Sequence, residues 1–496
     1  MAANHLFDGL LAGRDRDSRI LLRVPGGDDW SYAQLVELSG RLANLFTVEG
    51  VKPGDRVAVQ VQKSPQAIAL YLAAVRAGAV FLPLNTAYTR SEVDYFLDDA
   101  EPELFVCGSD RAAEFDGIDA RLLTLDGDGG GSLMRAAEIQ PAGFDNLARG
   151  AGDLAAILYT SGTTGVSKGA MLSHDNLLSN SVTLVDYWQF TANDVLLHAL
   201  PIFHTHGLFV ATNIMLICGG SMIFLPRFDV DTIIEQLPRA TSMMGVPTFY
   251  TRLLADERFD RERVAHMRLF VSGSAPMLAE THTRFEARTG LRILERYGMT
   301  ETNMNTSNPY DGERRAGSVG FPLPGVEIRI TDPESGATLA DGETGMIEVR
   351  GPNVFLGYWR KPEKTAEELR DNGFFITGDM GVVDEDGYIH IVGREKDLII
   401  SGGYNIYPKQ IETEIDALDG VVESAVFGIP DPDFGEVVAA AVVLEVGAGL
   451  GEQALLEALG PRLARFKLPR KVLFVDQLPR NAMGKVQKNV LRDSHG

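Results

Sequence analysis

The sequence predicts an α/β fold: a large N-terminal domain of mostly parallel sheets, followed by a small α+β domain. Three observations carry this. Short apolar runs alternate with helical periodicity up to about residue 300, two-residue alternation takes over after 318, and the tail from about 396 has helices and strands of its own.

Residues 56–61 read as a strand, 65–77 as a helix, 79–84 as a strand, 90–98 as a helix and 104–107 as a strand. This succession calls for right-handed crossovers and parallel pairing. The glycine-rich stretch 127–132 reads as a surface loop, and a second strand–helix region runs from about 180 to 300. Residues 326–330, 345–350 and 387–392 alternate apolar and polar side chains between turns, as antiparallel strands do. In the tail, 408–418 and 452–463 predict helices, and 422–429 and 437–443 strands.

A chain of 496 residues is too long for one core. Its 45% apolar and 23% charged content is that of a soluble globular protein. No run of 18 apolar residues suggests a membrane span, and no basic region followed by an apolar stretch suggests a signal peptide. Cys107 and Cys218 sit in apolar runs and read as buried free thiols, which fits a cytoplasmic protein. A net charge of −22 argues against nucleic acid or an anionic membrane as partner.

The most informative stretch is 159–169, YTSGTTGVSKG, directly after the apolar run 154–158. Its glycines bring backbone N–H groups close to a ligand, its hydroxyls add hydrogen bonds, and Lys168 adds a point charge. That combination suits a polyphosphate. It is not the common P-loop, because Lys168 follows Gly165 by three positions and no Ser or Thr comes next.

This stretch resembles the phosphate-binding signature of the adenylate-forming superfamily, which includes acyl-CoA synthetases, luciferases and peptide-synthetase adenylation domains. The superfamily's other signatures follow in order: LPIFHTHG at 200–207, SGSAP at 272–276, ERYGMTE at 295–301, TGD at 377–379, GREKD at 393–397, SGGYNIYP at 401–408 and PRNAMGK at 479–485. The resemblance implies that the large domain also carries a distorted antiparallel barrel and that the small domain is a mobile lid. It divides the chain into an adenylate-forming domain at 1–393, a hinge at 394–397 around Lys396, and a lid at 398–496.

It also implies roles. Thr160, Ser161, Gly162, Thr163, Thr164 and Lys168 would cradle ATP phosphates. Thr300 would meet the α-phosphate, and Glu301 would face Mg²⁺. Ser274, Ala275, Pro276, Arg296, Tyr297, Gly298 and Met299 would line the nucleoside pocket, with Tyr297 stacked on adenine. Asp379 would accept the ribose hydroxyls with Arg394 assisting. Lys485 would be the catalytic cation of adenylation, bridging carboxylate and α-phosphate. His206 would stand between the acyl and thiol sites. Gly402, Gly403 and Lys409 would face coenzyme A after the lid turns. Control by a lysine acetyltransferase and deacetylase acting on Lys485 is a further expectation.

Within the superfamily the chain is most similar to malonyl-CoA synthetases, on 199–209, 245–254, 297–307 and 479–490. A dicarboxylate pocket needs a cation for the distal carboxylate. The resemblance gives that task to Arg252, with Thr205 or His206 and Met304 limiting room at the α-carbon. Methylmalonate is a further expected substrate. The rivals are a short- or medium-chain acyl-CoA synthetase and a stand-alone adenylation enzyme that loads a carrier thiol.

Overall fold

The computed structural model describes residues 4–11, 13–160, 167–401, 404–432, 434–481 and 484–495. Among these residues the strands form four sheets. One has seven strands, with Val80–Pro83, Arg56–Gln60, Leu104–Cys107 and Arg121–Thr124 in parallel. The crossover helices start where the sequence caps them. Ser64 accepts from the N–H of Ala67 with Pro65 in the first turn, and Thr89 and Glu92 form a capping box. Helix Pro65–Arg76 is buried on nearly every side, packed against helices Tyr32–Val48 and His5–Leu11 and strand Val80–Pro83.

The second sheet has nine strands. Val195–His198, Ser221–Phe224, Ser242–Gly245 and Leu269–Ser272 form its parallel centre, and Leu294–Met299 extends it. The chain then folds back antiparallel through Asn303–Ser307. The expected antiparallel barrel takes the form of a four-stranded sheet, Glu327–Thr331, Gly345–Arg350, Phe375–Val383 and Ile389–Arg394. A bridge between Gly320 and Ile389 ties it to the rim of the nine-stranded sheet.

The tail folds as a sheet around Val421–Asp431 and Gly435–Leu444, flanked by helices Pro408–Asp416 and Glu452–Leu459. Its apolar clusters draw only on residues from Ile399 onward, and those of the large domain end at Ile391. Each body therefore has a core of its own. Among the described residues, no helix is long and apolar enough to cross a membrane.

Candidate active site

The phosphate segment joins two antiparallel strands, Leu154–Thr160 and Lys168–Ser173, with Thr160 paired to Lys168. Ser161, Gly162, Thr163 and Thr164 lie outside the described residues. Thr160 ends the first strand and Lys168 begins the second, so both stand at the mouth of the loop. Lys168 is buried and forms an ion pair with Glu368 at 3.1 Å, its ammonium 4.1 Å from the Tyr358 ring centre.

Tyr358 links this cation to the acidic side of the site. Its hydroxyl lies 2.6 Å from Glu368 Oε2 and 3.1 Å from Glu301 Oε1. Burial pushes the Glu301 carboxyl above its ordinary range, only partly offset by Tyr358, Arg394 and Lys168. Lys168, Glu368, Tyr358 and Glu301 thus form one contact chain along the phosphate side. Glu368 and Tyr358 were not legible as site residues. They come from helix Pro362–Glu368 and the two-residue strand Gly357–Tyr358, where a glutamate and a tyrosine carry no local signal.

Asp379 is gripped from two elements. The Tyr297 hydroxyl donates to Oδ2 at 2.6 Å and Arg394 Nε to Oδ1 at 2.7 Å. Asp379 and Arg394 are cross-strand partners, and Gly378 before Asp379 has φ +71, a conformation that favours glycine. The Asp379 charge holds the Arg394 guanidinium firmly protonated, and burial drives the Tyr297 hydroxyl well above its usual value. Thr300 and Met299 are half-buried beside this group.

On the acyl side, His206 is fully buried, with Nδ1 3.3 Å from Ser274 Oγ and Nε2 without a hydrogen-bond partner. Burial and the nearby Arg296 charge keep its imidazole neutral. Ser274 itself has φ +69, strained for a residue with a side chain. Ala275 is half-buried and Pro276 exposed. Thr205 donates to Asn303 Oδ1 at 2.7 Å, and Met304 is buried beneath Gly298, where an added Cβ would lie 2.7 Å from Met304 Cε. Arg296 lies under Gly273, 3% exposed, with Nε and Nη2 both unpaired. Burial pulls its guanidinium down to about 9. A buried cation with two unused donors is costly unless a ligand completes it.

Arg252 is exposed on helix Pro247–Leu254, while its neighbours Leu253 and Leu254 are buried. It lies one turn after Thr248, on the same helical face. Thr248 adjoins the lid, because a Cβ added at Gly484 would lie 3.3 Å from its hydroxyl. Lys485 follows Gly484 in a turn in which its own N–H donates to Asn481 Oδ1. Its side chain keeps contact with solvent, yet the cleft walls and then the Arg394 charge pull its ammonium down to about 8, against the pull of Asp379. The structure therefore brings Lys485, Asp379, Arg394 and Tyr297 together. Lys396 is exposed in the short turn Glu395–Asp397, and Lys409 is half-buried on helix Pro408–Asp416. Gly402 and Gly403 lie outside the described residues. Among the described residues no cluster of three or more His, Cys, Asp or Glu forms a metal cage.

A family model described as AMP-binding enzyme matches residues 12–359, and one described as AMP-binding enzyme C-terminal domain matches residues 410–485. Feruloyl-CoA synthase of an Amycolatopsis species is 38% identical over 476 residues, 95% of either chain. Malonate–CoA ligase of Arabidopsis thaliana is 34% identical, covering 96% of this chain and 86% of that one. Among solved structures, ATP-bound MatB from Rhodopseudomonas palustris is 60% identical over 100% of this chain and 99% of that chain, with a TM-score of 0.97. The apo form of that protein gives a TM-score of 0.87, so the arrangement here is nearer the ATP-bound one. The chain belongs to the AMP-binding enzyme family. Within it, the chain is an AMP-forming acid–CoA ligase.

Proposed function

We propose that this protein is an ATP-dependent malonyl-CoA synthetase. A malonate carboxylate oxygen attacks the α-phosphorus of ATP and expels pyrophosphate, giving malonyl-AMP. The thiol of coenzyme A then attacks the acyl carbon, and AMP leaves. The observation that carries the reading is Arg296, a buried guanidinium with two unpaired nitrogens beside His206. A monocarboxylate with an apolar tail would leave those donors unsatisfied, whereas the free carboxylate of malonate completes them. Arg296 thereby moves from the nucleotide side, where the resemblance put it, to the acyl side. Arg252, facing the lid, is the second cation proposed for the same group. The two similar proteins bearing the names malonate–CoA ligase and MatB support the reading.

The remaining roles follow. Lys168 and the loop with Thr160, Ser161, Gly162, Thr163 and Thr164 take the terminal phosphates, and Thr300 the α-phosphate. Glu301, with Glu368 beside it, would hold Mg²⁺, which takes one or two carboxylates together with phosphate oxygens and neutralises their charge. A buried carboxylate with little compensation, next to a second one, fits that ion. Asp379 takes the ribose, and Lys485 the charge developing between carboxylate and α-phosphate. Thr205 and Met304 would set the width at the α-carbon, and methylmalonate is proposed as a further substrate. Rotation about Lys396 then exchanges Lys485 for Gly402, Gly403 and Lys409 at the site of thioester formation. Lys485 is solvent-accessible, so acetylation could reach it and would remove its charge. The compartment proposed is the cytoplasm.

Pyrophosphate release measured with malonate, methylmalonate, acetate and octanoate tests the reading. The expected result is malonate-selective pyrophosphate release that requires Mg²⁺, with malonyl-CoA and AMP identified by mass as the products when coenzyme A is present. Selective turnover of octanoate or acetate would discard malonate and keep the ligase.

A further inference from the structure

We infer that Lys63 is a positioning residue for His206, acting through His198. The inference rests on the functional reading above for the role of His206. Lys63 lies between strand Arg56–Gln60 of the seven-stranded sheet and helix Pro65–Arg76. It reaches across to the nine-stranded sheet. Its ammonium donates to His198 Nδ1 at 2.9 Å, to the His198 carbonyl at 2.8 Å and to the Leu200 carbonyl at 2.9 Å. The Phe224 ring centre lies 4.3 Å away. Among the described residues no carboxylate pairs with it.

Burial lowers the Lys63 ammonium well below its ordinary value, yet three acceptors converge on its nitrogen, and only the ammonium form has three protons to give. With Nδ1 accepting, the neutral His198 imidazole carries its proton on Nε2. That proton goes to the Gly207 carbonyl at 2.9 Å, which also accepts from Thr212 Oγ1 at 2.9 Å. Burial, then the Lys63 charge, keeps His198 neutral, in agreement with that tautomer. Gly207 directly follows His206, and a Cβ there would fall 1.9 Å from the Pro201 carbonyl. The segment 198–207 thus closes on itself, and Lys63 holds both of its ends: the backbone at His198 and Leu200, and Gly207 through the imidazole.

A pocket lined by Lys63, Pro201, Ile202, Phe203 and Leu208 lies against this segment. A desolvated ammonium without a counter-ion is a costly brace. What it delivers is the position of His206, whose Nδ1 lies 3.3 Å from Ser274 Oγ and whose Nε2 is buried without a partner, in the field of Arg296. Small displacements at such a group cost rate steeply.

The test is a double-mutant cycle on the full-length enzyme, with Lys63→Met, His206→Ala and the pair. Lys63→Met is expected to lower kcat about tenfold or more and to leave the ATP KM within about twofold. In the His206→Ala background its further loss shrinks to about twofold or less, because the group it positions is gone. Equal losses in both backgrounds, no loss, or an effect confined to the ATP KM would overturn the inference. Thermal melts accompany each variant, and if Lys63→Met does not fold, Lys63→Gln, which keeps two donors, replaces it. If the wild type turns over an acid other than malonate, the substrate reading fails and the cycle is run on that acid, so the two failures stay distinct.

Discussion

Tyr297 and Asp379 are joined by a 2.6 Å hydrogen bond in which a buried phenol donates to a buried carboxylate. Arg394 holds the other oxygen of the same carboxylate. Asp379 is therefore aimed from both sides, and in the proposed reading Tyr297 has this second task beside offering its ring to adenine. Tyr297→Phe keeps the ring and removes the proton. The ATP KM is expected to rise about tenfold, from a lost hydrogen bond to a charged group worth about 1.5 kcal/mol, with the malonate KM little changed. Steady-state kinetics varying each substrate separately checks this. A malonate effect as large as the ATP effect would contradict it.

The contact chain from Lys168 through Glu368 and Tyr358 to Glu301 joins Glu368 to the residues proposed to hold phosphate and Mg²⁺. Glu368→Gln is expected to raise the Mg²⁺ concentration for half-maximal activity about tenfold, the usual scale for a group that supports a metal ligand. A Mg²⁺ titration at saturating ATP and malonate reads it. An unchanged midpoint would leave Glu368 with only its structural partners Lys168, Lys364 and Tyr358.

Lys485 supplies a pH signature. Burial and the Arg394 charge depress its ammonium to about 8. The cation is the active form, so it is present below that pH and lost as pH rises through it. In the adenylation half-reaction, kcat/KM is expected to fall above about pH 8, approaching tenfold per unit. In kcat the limb moves to higher pH, because bound phosphates favour the cation. Lys485→Arg moves the limb out of range, because guanidinium stays protonated. Lys485→Gln is expected to cut adenylation at least about a hundredfold, while conversion of supplied malonyl-AMP to malonyl-CoA survives.

Much of this was legible in the sequence, for identifiable reasons. The parallel strands are continuous apolar runs with helical patterns between them, and their bounds fall within a few residues of the observed ones: 56–61 against Arg56–Gln60, and 104–107 against Leu104–Cys107. Asp379, Arg394, Lys168, Glu301 and Lys485 stand in short ordered signatures, so their positions could be read one by one. What could not be read are contacts between distant segments. Glu368 meets Lys168 two hundred positions away, and Lys63 meets His198 across two sheets. Arg296 sits inside a signature, yet only its burial and unpaired nitrogens suggest the acyl-side role proposed for it. Burial is a property of the assembled fold, and no local pattern around Arg296 carries it.

The central claim is that a buried guanidinium selects a second carboxylate. The most direct measurement is the ratio of kcat/KM for malonate to that for acetate, in wild type and in Arg296→Ala. The expected result is a strong preference for malonate in the wild type that falls by about thirtyfold or more in the variant, mainly through malonate, as for loss of one partner of a buried charge pair. A ratio unchanged by the substitution, or a wild type that prefers acetate, would contradict the account.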